Sequence, residues 1–449
     1  MCDIICLIKL NFLKKDGVSL DENQLQKRAT YHLWTFVSSK LIATAGSQIY
    51  TFAISLYILH LTGSSMSFAV NILCNILPRT IVAPFAGAII DRYPRKIIAI
   101  TAQTVTTISI GGLLLYSITM GLSLLAIYTT SCILSITSVF ASNAFTSSLT
   151  GLIDETRIQK ASSLNQIAIS IAQIASPAIG GILFGLVSMS VFLTIYLIAS
   201  LIAVILDSTM NFTLFEKERE HQEKKESVFE SLKGGISYVN HQPLLKVMII
   251  LCLIVNFIFT AFNVGFPFIV NTKLHMPSIQ FGIVEGAFAV GTLLLSVYLT
   301  LGKEFKHPFS VSKRGILSSS LLMIAAAVPI IISLSSTTIF IYYMVVMFLF
   351  GATNILINIP IMVLLQKQIA NEYKGRVFTI IETFAMAMMP IGTLLFGFLY
   401  DYVPAQWILL ISGCLTIISV LILARPSVME KANTSKSNAS IAKEKATSV

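Results

Sequence analysis

One acid and three bases stand together where a long apolar run ends: Asp91, Arg92, Arg95 and Lys96, four to nine residues after Gly87. Arg79 lies upstream inside that run, and two acids, Glu285 and Glu382, are embedded in other apolar runs. These types and spacings suit two jobs. A carboxylate at the end of a helix can meet the positive N-terminal end of a neighbouring helix and be released from it. An acid held away from water can take up and give back a proton. Bond-making chemistry has no comparable support, because His32, His60, His221, His241, His275 and His307 all lie near helix ends or in loops and no nucleophile and base are gathered. Of the six cysteines none forms a CxxC pair, and Cys74, Cys132, Cys252 and Cys414 sit in apolar runs, so neither a metal site nor a disulfide framework is expected. The chain is therefore read as no enzyme, with no cofactor and no metal.

Composition sets what must position those charges. Hydrophobic residues make up 55% of the 449 residues and charged ones only 12%, about half the share in soluble domains. Such a chain is an integral membrane protein. A spanning helix takes about 20 mostly apolar residues, and twelve such runs follow one another, near 34–59, 67–90, 97–117, 122–149, 161–188, 190–207, 247–270, 278–301, 315–334, 337–365, 376–400 and 406–424. Basic residues in short loops mark the cytoplasmic face. With both termini inside, every Lys and Arg falls on that face except Lys273 and Arg79. The net charge of +10 is thus spread over short cytoplasmic segments, which argues against a nucleic-acid partner. The N-terminus has only a short apolar patch broken by Lys9 and no small-residue cleavage site, unlike a secretory signal.

One loop, 208–246, is far longer than the rest, carries the charge run EKEREHQEKKE, and continues with Phe229, Leu232, Ile236 and Val239 at helical spacing. It reads as a cytoplasmic linker with an amphipathic surface helix. The expected organisation is an extension over 1–32, a six-helix bundle over 33–207, the linker, a second six-helix bundle over 247–425, and a disordered cytoplasmic tail over 426–449. A repeat is visible: shifting by 212 residues sets SPAIGGILFGL over MPIGTLLFGFL and superimposes Gly180 on Gly392 and Phe184-Gly185 on Phe396-Gly397. Two bundles around a midplane site are a common plan for secondary transporters.

Gly87-x-x-x-Asp91-Arg92-x-x-Arg95-Lys96 resembles the signature loop between helices 2 and 3 of the major facilitator superfamily. Tyr373-Lys374-Gly375-Arg376-Val377-Phe378, Met389-Pro390-Ile391-Gly392 and the FESLKGGISYV linker are similar to its macrolide-efflux and siderophore-export branch. The resemblance implies an all-α fold of twelve membrane helices in two halves, set in the bilayer of a bacterial cell membrane. It also implies a gate in which Asp91 meets the start of helix 11 at Gly375-Arg376 when the cytoplasmic side is closed. In helix 5, Ala172-x-x-x-Ser176-Pro177-x-x-Gly180-Gly181 resembles the superfamily's antiporter motif, with Ala172 and Ser176 in place of glycines. The arginine that related drug antiporters carry in helix 4 is absent from CILSITSVFASNAFTSSLTG.

Together these readings lead to a proton-coupled exporter of an amphipathic small molecule such as a macrolide-like drug, working by alternating access. A siderophore or lysophospholipid carrier is the alternative within the fold, and a transport-dead membrane sensor the alternative outside it. A siderophore exporter would need bases facing its cavity, and only Arg79 qualifies, against Glu285 and Glu382, so a neutral or cationic substrate is favoured. Buried charges rarely face lipid. Arg79 and Glu382 are expected to pair between helices 2 and 11, leaving Glu285 as the acid that carries the proton.

Overall fold

The computed structural model describes residues 22–154, 157–212, 214–215, 239, 242–301, 305, 307–369 and 374–425. Its described residues contain no strand. With no water in a bilayer core, only helices satisfy every backbone group within their own segment, and the described residues form twelve long ones. These are α1 (Glu22–Thr62), α2 (Ser65–Arg92), α3 (Arg95–Met120), α4 (Leu124–Leu152), α5 (Ile158–Leu186) and α6 (Met189–Thr209). The second series is α7 (Pro243–Phe268), α8 (Ser278–Leu301), α9 (Pro308–Ala325), α10 (Ser336–Gln368), α11 (Lys374–Tyr402) and α12 (Ala405–Leu423). α7 runs on as a π-helical turn, Ile269–Lys273, and α9 as a short helix, Val328–Ile331. Eleven of the twelve hold a stretch apolar and long enough to cross a membrane. Exposed Ile108, Leu115 and Ile118 on α3 are of the kind that lipid covers.

Local chemistry fixes the helix ends. Ser123, Ser188 and Ser335 each stand just before a helix and accept a hydrogen bond from the backbone N–H three residues on, at Ala126, Val191 and Thr338. Pro243 and Pro308 begin α7 and α9 at a position where a missing N–H costs nothing. These prolines explain why α9 starts at 308 rather than at the expected 315. α1 differs more: it starts at Glu22, so residues 22–32, read as part of an extension, are helical. Lys27, Arg28 and Lys40 interrupt the apolar pattern there, yet Arg28 and His32 are buried. The rest of the expected extension, most of the 208–246 linker and the tail from 426 lie outside the described residues.

Short turns alternate between two sides. The side of the 93–94 turn and the linker is here called the linker side, and that of the 63–64, 121–123 and 403–404 turns the far side. The residues group into two compact units. The first runs to Ile54 and takes in Cys74–Ser176 and the chain from Val187 through α6. The second takes Ser55–Leu73, Pro177–Leu186 and the chain after the linker. The far-side ends of α1, α2 and α5 thus pack with the second half of the sequence.

In the first unit, Leu33, Phe36, Ala86, Ile90, Ala99, Phe145, Leu152 and Phe212 form a buried cluster at the linker side. In the second, α8 and α10 lie closest. A Cβ on Gly291 would stand 2.0 Å from the Phe348 carbonyl oxygen, and one on Gly351 2.0 Å from that of Phe288. Lipid gives helices no hydrophobic drive to associate, so contact of this closeness through small residues is what holds them.

Candidate functional site

That glycine seam brings Phe288 of α8 and Phe350 of α10 to the wall of a cavity of about 340 Å³ inside the second unit. The wall also takes Phe259, Phe262 and Phe266 from α7 and Asn354 and Asn358 from α10. The aromatic rings are in register. Phe262 and Phe350 stack with centroids 4.4 Å apart and planes 13° from parallel, and Phe262 stacks in turn on Phe266 at 5.1 Å. Four asparagines, Asn256, Asn263, Asn354 and Asn358, line the same cavity. Asn256 Nδ2 donates back to the Cys252 carbonyl at 2.8 Å, and Asn358 Nδ2 to the Asn354 carbonyl at 2.9 Å, which leaves the Asn256 and Asn358 amide oxygens for a ligand. Among the described residues Glu285 is the single carboxylic acid on the wall, none pairs with its carboxylate, and no Lys or Arg lines the cavity. The arrangement is amphipathic: π faces and apolar carbon for a ligand's body, amides for its neutral polar groups, and one carboxyl for a proton or a positive charge.

The loop that resembles the signature sits on the first unit. Arg95 donates to the Ser147 carbonyl of α4, and Lys96 Nζ donates to the Ser208 carbonyl of α6 at 3.0 Å. The Ser208 carbonyl belongs to the last turn of α6, where a cation is favoured, and the Ser147 carbonyl to the turn before the last in α4. Two of the three bases therefore brace the bundle, while Arg92 is exposed. The second half repeats the brace: Lys313 Nζ on α9 donates to the Ala424 carbonyl after α12 at 2.9 Å. Gly87 has no described atom within 4 Å of where a Cβ would sit. Gly375 falls in the first turn of α11, and the side chains of Asp91, Arg376 and Glu382 lie outside what the structure describes. Arg79 is exposed on α2. The expected pair of Arg79 with Glu382 thus involves a partner side chain that is not described.

The antiporter-like motif of α5 is buried along one face: Ala172, Ser176, Gly180 and Gly181, with Pro177 inside the helix. A Cβ on Gly181 would meet Gly282 Cα of α8 at 2.6 Å, and one on Gly185 would meet the Ile279 side chain at 2.6 Å. α5 and α8 therefore touch almost backbone to backbone near the far side. Gly397, which the repeat aligns with Gly185, does the same in α11, where a Cβ would meet Ala69 of α2 at 2.5 Å. The two halves use matching glycines for matching helix contacts.

Sequence reasoning passed over a polar cluster in the first unit. Asp207, almost wholly buried on α6, accepts from Ser39 Oγ of α1, and the neighbouring Lys40 Nζ donates to Ser142 Oγ of α4 at 3.3 Å. Asp207 stands at the end of an apolar run and Lys40 near the start of another, so each looks like a charge at the membrane edge. The helical offset of Ser39-Lys40 from the linker-side end of α1 was the available signal.

The comparisons with known proteins agree with this architecture. The sequence model of the Major Facilitator Superfamily matches residues 36–393 and 311–447. Macrolide efflux protein A of Streptococcus pyogenes is 25% identical over 390 residues, 86% of this chain and 93% of that one. The uncharacterized MFS-type transporter YfiS of Bacillus subtilis is 25% identical over 397 residues, 87% of this chain and 92% of that one. Among solved structures, the nucleoside transporter NupG superposes with a TM-score of 0.65 at 14% identity, over 88% of this chain and 98% of that one. A bacterial homologue of the iron transporter ferroportin gives 0.62 at 14% identity, over 88% and 98%. At such identities the structures speak for the fold alone.

Proposed function

The chain belongs to the Major Facilitator Superfamily, and from that premise we propose that it exports an amphipathic small molecule such as a macrolide-like drug in exchange for protons. As a membrane transporter it works within the lipid bilayer on a small-molecule substrate. The finer reading rests on one observation: among the described residues, the cavity of the second unit joins six phenylalanines and four asparagines to the lone carboxyl of Glu285 and has no Lys or Arg. Its volume is at the lower end of that of drug-sized sites, so a macrolide-sized ligand places one end in it. A base-free wall suits a neutral or cationic end and repels a polyanion such as a siderophore. The relatives named for macrolide efflux support the same substrate class.

In this reading Glu285 holds either a proton or the substrate's polar end. Protonation removes the only charge facing the aromatic stack and frees the ligand; loss of the proton restores the attraction. Asp91 and the start of α11 at Gly375-Arg376 close the linker side, which the distribution of Lys and Arg makes cytoplasmic, with both termini inside. Glu382 pairs with Arg79. The test is efflux of a radiolabelled macrolide from cells with and without an uncoupler, for the wild type and Glu285→Gln. Expected are uncoupler-sensitive efflux by the wild type and none by the variant, with weaker macrolide binding to the purified variant, whose amide carries no charge. Wild-type pumping by Glu285→Gln refutes the proton role, and macrolide accumulation unaffected by the protein refutes the substrate class.

A further inference from the structure

We propose that Asp401, at the far-side end of α11, is a gate residue that latches the far side shut by capping the start of α2, and that it does for this side what Asp91 does for the other. The contact is fully formed. Asp401 Oδ1 accepts from the Ser65 backbone N–H at 2.7 Å and lies 2.8 Å from the Ser65 hydroxyl. Asp401 Oδ2 accepts from the Ser64 hydroxyl at 2.7 Å and from the Met66 N–H at 3.3 Å. The Ser65 hydroxyl also reaches the Gly397 carbonyl at 2.7 Å, one turn back along α11.

Three features distinguish this from an ordinary helix cap. First, α2 already has its own: Ser64 Oγ accepts from the Ser67 N–H at 3.2 Å. Asp401 is an added acceptor from 336 residues away in sequence, which takes the Ser65 and Met66 N–H groups of the first turn and places a full charge at the positive end of the helix. Second, the seam can come apart. Asp401 is exposed at its rim, so water can replace it on every donor when the helices separate, and no buried group is stranded. Third, the spacing is used twice. Gly397-x-x-x-Asp401 ends α11 on the far side as Gly87-x-x-x-Asp91 ends α2 on the linker side. Each of these two helices thus carries a glycine near its C-terminal end and an acid one turn on, and in α11 the glycine makes the close approach, to Ala69 of α2, and the acid caps the N-terminus of α2. The matching seam of α5 and α8 has no such acid; the repeat sets Met189 where α11 has Asp401.

The inference rests on alternating access, and its test needs no substrate. Spin labels at Met120→Cys, the exposed last residue of α3, and Ser333→Cys, exposed in the far-side turn before α10, are introduced with the six native cysteines replaced by serine. Their separation is measured in lipid nanodiscs by pulsed electron paramagnetic resonance. Loss of a cap of this kind is worth about 1.4 kcal/mol, or roughly a tenfold change in a two-state ratio. Asp401→Ala should enlarge the long-distance population relative to the short one by about that factor, and Ser65→Ala by less, because its N–H still donates. A long-distance population present in the wild type and unmoved by Asp401→Ala overturns the latch, even where the variant melts at a lower temperature. A single distance in every variant overturns alternating access along with it.

Discussion

Gly181→Ala is the smallest change that tests the contact between α5 and α8. The added carbon would sit 2.6 Å from Gly282 Cα, 2.9 Å from Gly282 N and 3.2 Å from the Ser278 carbonyl oxygen. Carbon atoms rest at about 3.5–4.0 Å, so the helices must part by about 1 Å, and no flexible side chain is present to yield in their place. Overpacking of this kind costs about 1–3 kcal/mol. At roughly 1.4 kcal/mol per decade, the balance between joined and parted far-side helices shifts between about fivefold and a hundredfold. Gly112→Ala on α3 is the matched control, since nothing lies within 4 Å of its Cβ position, and the exchange gains helix propensity. The assay is the initial rate of macrolide efflux at equal membrane abundance, together with thermal unfolding of the purified protein. Gly181→Ala should lose at least about fivefold in rate and unfold at a lower temperature, while Gly112→Ala matches the wild type or exceeds it. Equal rates and equal melting for the two variants would refute the claim that backbone contact at this seam matters to transport.

Three further outcomes are expected. Asp91→Asn should reach the membrane in normal amount and export more slowly, because a charge at a helix end is worth only about 0.3–2 kcal/mol; efflux at the wild-type rate makes the loop an anchor and no more. Exchanging the charges, Arg79→Glu with Glu382→Arg, should restore part of the efflux lost in either single reversal, and a double variant as inactive as the singles removes the pair. Single cysteines introduced at Met120 and at Ser437, in a background without others, should differ in reaction with an impermeant thiol reagent on intact cells: the first labelled, the second protected. The reverse pattern inverts the topology.

The sequence made the spans legible because a bilayer demands a length of apolar chain that nothing else in a protein needs, and the proline and serine signals set several ends within a few residues. It did not reveal that α1 starts at Glu22, since a helix that leaves the apolar layer loses the pattern by which it is found. Glu285 stood out as an acid among apolar residues, and the structure places it on a cavity wall. Its aromatic partners did not stand out: Phe262 and Phe350 are far apart in sequence and meet only through the packing of α7, α8 and α10. Asp401 carried a visible signal, the Gly-x-x-x-Asp spacing of the opening cluster repeated at the end of another helix. It was lost because a charge at the end of a span is also what the membrane surface alone would select.

The reciprocal glycines of α8 and α10 have a mechanical consequence. With Gly291 against the Phe348 carbonyl and Gly351 against that of Phe288, the two helices cannot slide or roll past one another without backbone collision, so they move as one slab. Glu285 projects from one member of the slab, and Phe350 and Asn354 from the other. In the exchange proposed above, a proton arriving at the acid therefore has no lever by which to pull the aromatic wall away from a bound molecule. Exchange at this site must be decided by charge and contact within a rigid frame, and the work of reorientation falls on seams elsewhere.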